Sequence, residues 1–220
     1  MTFSIVARSA DGREFGLALS SSSIAVAARC GYVQAQVGAV LSQNLTDPRL
    51  GPRALGLLNE GMEAQAAVEL LLSDAPGAAY RQVAVVDKDG RVAHYSGSET
   101  LPIHAAATGV GVVAVGNLLG QKSVPAAMVK AFSDTPPHEL LPERLMVALE
   151  AGLAEGGEAG PVHSAGLLTI AEEPWPWVDL RVDLSDEPIA QLRVLWGRWR
   201  PEAKDYVARA LQPHRAPAFQ

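Results

Sequence analysis

Strand-like segments in this chain come in clusters, and helix-like segments come in pairs between the clusters. Thr2–Arg8 reads as a first strand, Ala10-Asp11-Gly12 as a hairpin turn, and Phe15–Ser20 as the returning strand. Tyr32–Leu41 alternates apolar and polar positions, and the apolar run within Ser20–Cys30 suggests one more strand before it. The character then changes. Leu55 and Leu58 repeat at helical spacing behind Pro52, Gly61 interrupts, and Glu63–Leu72 resumes, so two short helices are expected. Arg81–Asp87 and Arg91–Ser96 flank Lys88-Asp89-Gly90 as a hairpin, and the Val-rich stretch 110–115 follows as a buried strand. A second helix pair begins at Ser123 and at Leu141, the latter stopped by Gly156-Gly157. Ser164–Ile170 and Trp177–Asp183 close the strands. A last helix follows, capped by Asp186, with Ile189, Leu192, Trp196 and Trp199 on one stripe. Such an order predicts an α+β fold with mostly antiparallel sheet, not alternating βαβ units. No linker or internal repeat divides it. One domain over 1–211 is expected, with a mobile tail at 212–220.

Composition narrows the partners. The 220 residues are 48% hydrophobic and 19% charged, enough for a core and too few charges for a disordered chain. Eighteen Lys+Arg against 24 Asp+Glu leave −6, which argues against nucleic acid, whose binding rests on phosphate neutralisation. Arg193, Arg198 and Arg200 form the one locally basic stretch, expected as the wet edge of a helix. No apolar run approaches the roughly 18 residues a membrane span needs, and no secretory leader is visible, so a soluble cytoplasmic protein is expected. The single cysteine, Cys30, excludes an intrachain disulfide and is expected as a buried structural thiol. His94, His104, His138, His163 and His214 are never at ligand spacing, and neither a metal nor another cofactor is expected.

Thr2 is the most informative candidate for chemistry. Removal of Met1 leaves a threonine with a free α-amine at the start of a strand. Such a residue holds nucleophile and base together: the hydroxyl attacks, and an amine of pKa about 7.7–8.0 takes the proton. Against this stands the ordinary fact that many proteins begin Met-Thr. Asn117 follows Gly116 at the end of the Val-rich strand, where its amide can donate to a developing oxyanion or simply close a turn. Gln43 and Asn44 end another apolar strand and are candidates for positioning a polar substrate. Among Ser20–Ser23, Ser21 is a candidate to hold the Thr2 amine or the substrate. Arg53 can bind a substrate carboxylate or pair with Glu60 or Asp47. Asp179, Arg181 and Asp183 alternate on one strand face and are expected as a buried ion pair.

Several segments occur in one order: MTFSIVAR, GAVLSQN…GPRALGLL, RQVAVVDKDGRVAHYSG, AVGNLL, HSAGLLTI and WPWVDLRVD. Together they resemble the bacterial family catalogued as domain of unknown function 1028, which is similar to the N-terminal nucleophile (Ntn) hydrolases. The resemblance covers about residues 2–200. It implies a four-layer α/β/β/α sandwich of two antiparallel sheets, and it makes Thr2 the candidate nucleophile. Ser164, at the start of a strand, matches the family in order and joins the substrate-binding candidates. His163 beside it departs from the family's usual glutamine. A second departure is that no lysine precedes Lys88, where proteasome-type Ntn enzymes carry one near the nucleophile; Arg29 cannot serve as a proton acceptor. The implied activity is an amidohydrolase acting on a small amide, lactam or acylated amine. The alternative is a non-catalytic ligand-binding or homo-oligomer-forming protein whose Trp-rich terminal helix is the interface.

Overall fold

The structure, a computed structural model, describes residues 1–214. Two antiparallel sheets lie face to face. The first has six strands: β1 (Thr2–Arg8), β2 (Phe15–Ser21), β7 (Ala105–Gly109), β8 (Val112–Asn117), β9 (Ser164–Ile170) and β10 (Val178–Val182), in the order β10-β9-β2-β1-β8-β7. The second has four, β3 (Gly31–Gln34), β4 (Gly38–Asn44), β5 (Arg81–Asp87) and β6 (Val92–Ser96), in chain order. Helices α2 (Leu50–Asn59) and α3 (Ala64–Ser73) cover the outer face of the four-stranded sheet. Helices α4 (Val124–Asp134) and α5 (Leu141–Ala154) cover the outer face of the larger one. The result is the four-layer α/β/β/α sandwich expected.

Side-chain alternation assigns each strand residue to a layer. Phe3, Ile5 and Ala7 of β1 face α4 and α5, where they join Met128, Leu145 and Leu149. Gly152 lets α5 come close: a Cβ there would stand 2.8 Å from Met128 Cγ and 3.1 Å from the Phe3 ring. Val40, Val83 and Val85 face α2 and α3 on the other side. The alternate positions form the layer between the sheets, with Val6, Leu17, Leu19, Leu41, Val86 and Val113.

Three expectations need correction. The apolar run within Ser20–Cys30 is no strand; it is a loop and one helical turn, α1 (Ala27–Cys30), with Ala25 at φ 52. Its chain turns away from the sheet because Ser164 Oγ donates to Ser23 O at 2.6 Å and accepts from Val26 N–H at 3.1 Å. Asp186 caps no helix: α6 (Pro188–Trp199) opens at Glu187 without a side-chain cap, its first turn set by Pro188. Nor do the tryptophans of α6 form an exposed interface. Trp196 is buried and donates to Glu143 Oε2 at 2.7 Å, and Trp199 donates to Trp177 O at 2.9 Å. Arg193 is drawn onto α5 as well, bonded to Glu143 and to both carboxylate oxygens of Glu150. Strand β7 and a final helix, α7 (Ala203–Leu211), are additions to the expected elements. The mobile tail expected over 212–220 lies, from residue 215 onward, outside the described residues.

Candidate functional site

The layer between the sheets changes chemistry along its length. Continuing each strand's alternation past its last apolar residue leads, at one end, to a polar one. Val6 gives Ser4 and Thr2; Leu19 gives Ser21; Leu41 gives Gln43; Ala84 gives Gln82; Val115 gives Asn117. Strand register then sets these into two facing rows. In the larger sheet Ser21 pairs with Ser164, Thr2 pairs with Asn117, and Ser21 lies level with Thr2, one residue beyond the Phe3–Ser20 pair. In the smaller sheet Gln43 pairs with Gln82, and Gln82 with Ser96.

One network joins the rows, and its polarity follows from a single backbone carbonyl. Gly116 O accepts from Gln82 Nε2 at 3.1 Å, so that end of Gln82 is the amide nitrogen, which also donates to Ser96 Oγ at 2.9 Å. Gln82 Oε1 is then an acceptor, and it receives Gln43 Nε2 at 2.8 Å and Asn117 Nδ2 at 2.9 Å. Gln43 Nε2 also reaches Thr2 O at 3.4 Å, and Gln43 Oε1 receives the Ser4 hydroxyl at 2.6 Å. Ser4, Gln43, Gln82 and Asn117 are all fully buried. The same logic leaves Asn117 Oδ1 as a buried acceptor without a partner. Burial without a hydrogen bond costs about 1–3 kcal/mol, so this atom marks a place where a donor is wanted.

Thr2 itself is 4% exposed. The Ser21 hydroxyl donates to the Met1 carbonyl and accepts from Ser23 N–H. Ser21 therefore holds the bond that joins residues 1 and 2. Close by, Glu158 lies in the turn between α5 and β9, only 6% exposed. Its Oε1 accepts from Ser22 N–H at 3.0 Å, and its Oε2 has no partner. Burial pushes the Glu158 carboxyl above the ordinary value; the Ser22 bond, the chain's N-terminus and His163 oppose that rise.

The family model described as a family of unknown function, DUF1028, matches residues 2–192. The chain belongs to the DUF1028 family. Protein SPO2555 from Silicibacter pomeroyi, a solved DUF1028 structure, superposes with a TM-score of 0.85 at 31% identity, covering 93% of this chain and 89% of that one. Anbu, the ancestral beta-subunit from Yersinia bercovieri, aligns over 99% of each chain, but with a TM-score of 0.39 at 9% identity. That likeness is too weak to bear on fold or function. No curated protein matches the chain.

Of the expected site residues, this DUF1028 structure gathers Thr2, Asn117, Ser21, Gln43 and Ser164 at the polar end. Ser164 uses both its donor and its acceptor to fix the 22–26 loop, and its carbonyl receives the Ser20 hydroxyl at 2.9 Å. Asn44 stands beside the site and serves the backbone. At φ 70 it donates to Tyr80 O at 2.7 Å and accepts from Leu101 N–H at 3.2 Å. Arg53 is elsewhere, on the outer helix α2, paired with Asp74 at 2.9 Å and not with Glu60 or Asp47. Asp179 and Arg181 pair at 3.4 Å as half-exposed side chains, so the expected buried pair is a surface one. The Cys30 thiol is buried, and burial pushes it up, away from a reactive thiolate.

Sequence reasoning missed Gln82 and Glu158. Gln82 had a readable signal: a polar residue at the inward parity of an otherwise apolar strand, RQVAVVD. Glu158 had none, since a carboxylate between glycines in a loop reads as solvated. Among the described residues no group of three or more His, Cys, Asp or Glu side chains could hold a metal, and no helix is long and apolar enough to cross a membrane.

Proposed function

We propose that the chain beginning at Thr2 is an amidohydrolase acting on a small amide, lactam or acylated amine, with Thr2 as nucleophile. The observation that carries this reading is the placement of Thr2. It is the first strand residue, at the polar end of the layer between the sheets, directly opposite Asn117 with its unpartnered acceptor. Thr2 Oγ attacks the substrate carbonyl carbon and its proton passes to the α-amine. The C–N bond then breaks, the leaving amine takes that proton, and water hydrolyses the acyl ester on Thr2. Asn117 spends one Nδ2 hydrogen on Gln82 and keeps the other for the oxyanion. Gln82 and Gln43 hold Asn117 and the Thr2 carbonyl in place. No cofactor enters this scheme.

A second reading is favoured by the burial of Thr2 and by the Ser21 bond to the Met1 carbonyl. A chain that keeps Met1 has an amide nitrogen at residue 2, which accepts no proton. Its polar end is then a structural network in a non-catalytic binding protein.

Intact mass separates the two forms. Protein confirmed to start at Thr2 is assayed against a panel of small amides, lactams and acylated amines. Turnover by this form, lost on Thr2→Ala and on α-acetylation and kept in part by Thr2→Ser, is the expected result. Full turnover by Thr2→Ala overturns the proposal.

A further inference from the structure

Two buried oxygens near the chain start want a hydrogen-bond donor: Glu158 Oε2 and Asn117 Oδ1. Both belong to residues more than nine-tenths buried. Both are acceptors, one on β8 itself and one on the turn paired with the chain just beyond β8, whose side chain reaches Ser22 past the end of β2. Asn117 is the cross-strand partner of Thr2 in β8. Glu158 is fixed through Ser22 N–H, one residue past the Ser21 level, where residue 1 would pair if the β1–β2 register continued. Leu119 bridges to Glu158, and Ala159 N–H donates to Leu118 O, so the turn carrying Glu158 is tied to the end of β8. A buried carboxylate without a close cation is costly, and a hydrogen-bonded ammonium offsets part of that cost.

We infer that Glu158 is a positioning residue that holds the α-ammonium of Thr2 once Met1 is gone, with Asn117 Oδ1 and the Ser21 hydroxyl completing its three acceptors. This rests on the proposed use of Thr2 and adds the residue that orients its amine. An ammonium has three N–H donors and needs three partners. With Met1 present, Ser21 is engaged with the Met1 carbonyl, and Glu158 Oε2 is left over. Cleavage after Met1 removes that carbonyl and moves the chain's ammonium, which at Met1 already acts on Glu158 without bonding Oε2, onto Thr2. Glu158 also ties the amine to loop 22–26 through Ser22, so the base is set against the same serines that frame the site. The other titratable groups near the amine and Glu158 are Cys30 at the end of α1 and His163 before β9, whose Nδ1 is 3.6 Å from Asp186.

The test reads the amine directly and needs no substrate. Chains beginning at Thr2, as wild type and as Glu158→Gln, are treated with cyanate at pH 6.5, and carbamylation of the N-terminal peptide is followed by mass. Only the neutral amine reacts. The Gln variant keeps the bond to Ser22 N–H and loses the charge, so its amine gives up its proton more easily. Its carbamylation is expected to be faster by about threefold or more, the equivalent of half a pKa unit. The same substitution in chains retaining Met1 is expected to have a smaller effect. Equal rates in the two Thr2 chains, or an equal effect with Met1 present, overturn the inference. Should Glu158→Gln not fold, titration of the unmodified wild-type amine, followed by NMR through the Thr2 Cα shift in ¹³C-labelled protein, serves instead. A second inflection from the carboxyl supports the inference, and a single-step curve overturns it. If the labelling contrast holds but no amide is cleaved, the hydrolase reading fails and the ammonium site stands.

Discussion

The two ends of the layer between the sheets are built from the same strands and hold opposite chemistry. Toward Phe15 the inward positions are Val6, Leu17, Ala39, Val86 and Val113, and they bury hydrocarbon. Toward Thr2 they are Ser4, Gln43, Gln82 and Asn117, equally buried and joined by hydrogen bonds, with Ser21 beside them on the Met1 carbonyl. The apolar end holds the sheets together through area removed from water, at about 25 cal/mol per Å². The polar end gains little from burial, because its amides only exchange water for one another. Hydrocarbon would serve packing better there, so the amides answer to geometry. They fix the Thr2 carbonyl and Asn117, and they leave acceptors open at the chain start.

The comparison can be broken by substitution at either end. The largest effect is expected at the apolar end. Leu41→Ala, in a position with no exposure, should cost about 3 kcal/mol in urea unfolding through lost burial and the cavity left behind. At the polar end Gln82→Met keeps the volume but strips Gln43, Asn117 and Gly116 O of their common partner. A loss of about 2 kcal/mol is expected, together with a shift of the Asn117 side-chain amide signals in NMR. A loss close to zero would show the network to be ornamental.

Glu14 sharpens the contrast, because it is a carboxyl beside the apolar end. It precedes Phe15, and its Oε2 is buried without a partner. Burial, with Asp11 adding to it and Lys204 opposing, pushes its pKa up to about 7 from 4.5. The unfolded chain therefore releases this proton near pH 4.5, before the folded chain does. Stability is unaffected below that value, falls as pH rises to about 7, and is level above. Glu14→Gln should remove the slope and stabilise the protein at pH 8 by about 1–2 kcal/mol, with no gain at pH 4. Melts at the two pH values check it. The smallest effect belongs to Arg53→Ala. Its exposed pair with Asp74 joins α2 to the end of α3, and a change under about 0.5 kcal/mol is expected. The same variant should leave any turnover intact.

Much of this architecture was legible in the residues. Turn chemistry at Asp11-Gly12 and Asp89-Gly90 and the alternation of RQVAVVD gave the hairpins, and Gly61 split α2 from α3. What failed did so for physical reasons. Ala105–Gly109 is a strand of small residues without β-branched weight until Thr108, so only pairing with β8 reveals it. The Ser20–Cys30 stretch is apolar enough for a strand, but Ser164 and the left-handed Ala25 fold it back, and those contacts span 138 and more residues of sequence. In the site, Asn117 and Gln43 were readable because each ends an apolar strand, and Thr2 because loss of Met1 frees its amine at the start of one. Ser164 was found for its place in order, and its hydroxyl proves to hold a loop. Arg53 and Asn44 have the right chemistry for a substrate, but α2 faces outward and Asn44 is spent on backbone. Glu158 was invisible because only tertiary folding buries it.

The central claim is that the polar end presents Thr2 as a nucleophile once the chain begins there. Treating such protein with a small β-lactone, an electrophile whose ring opening acylates a hydroxyl, tests it most directly by intact mass and peptide mapping. A single adduct on Thr2, absent from Thr2→Ala and from chains that keep Met1, is the predicted result. No adduct on Thr2, or equal labelling with Met1 in place, would contradict it.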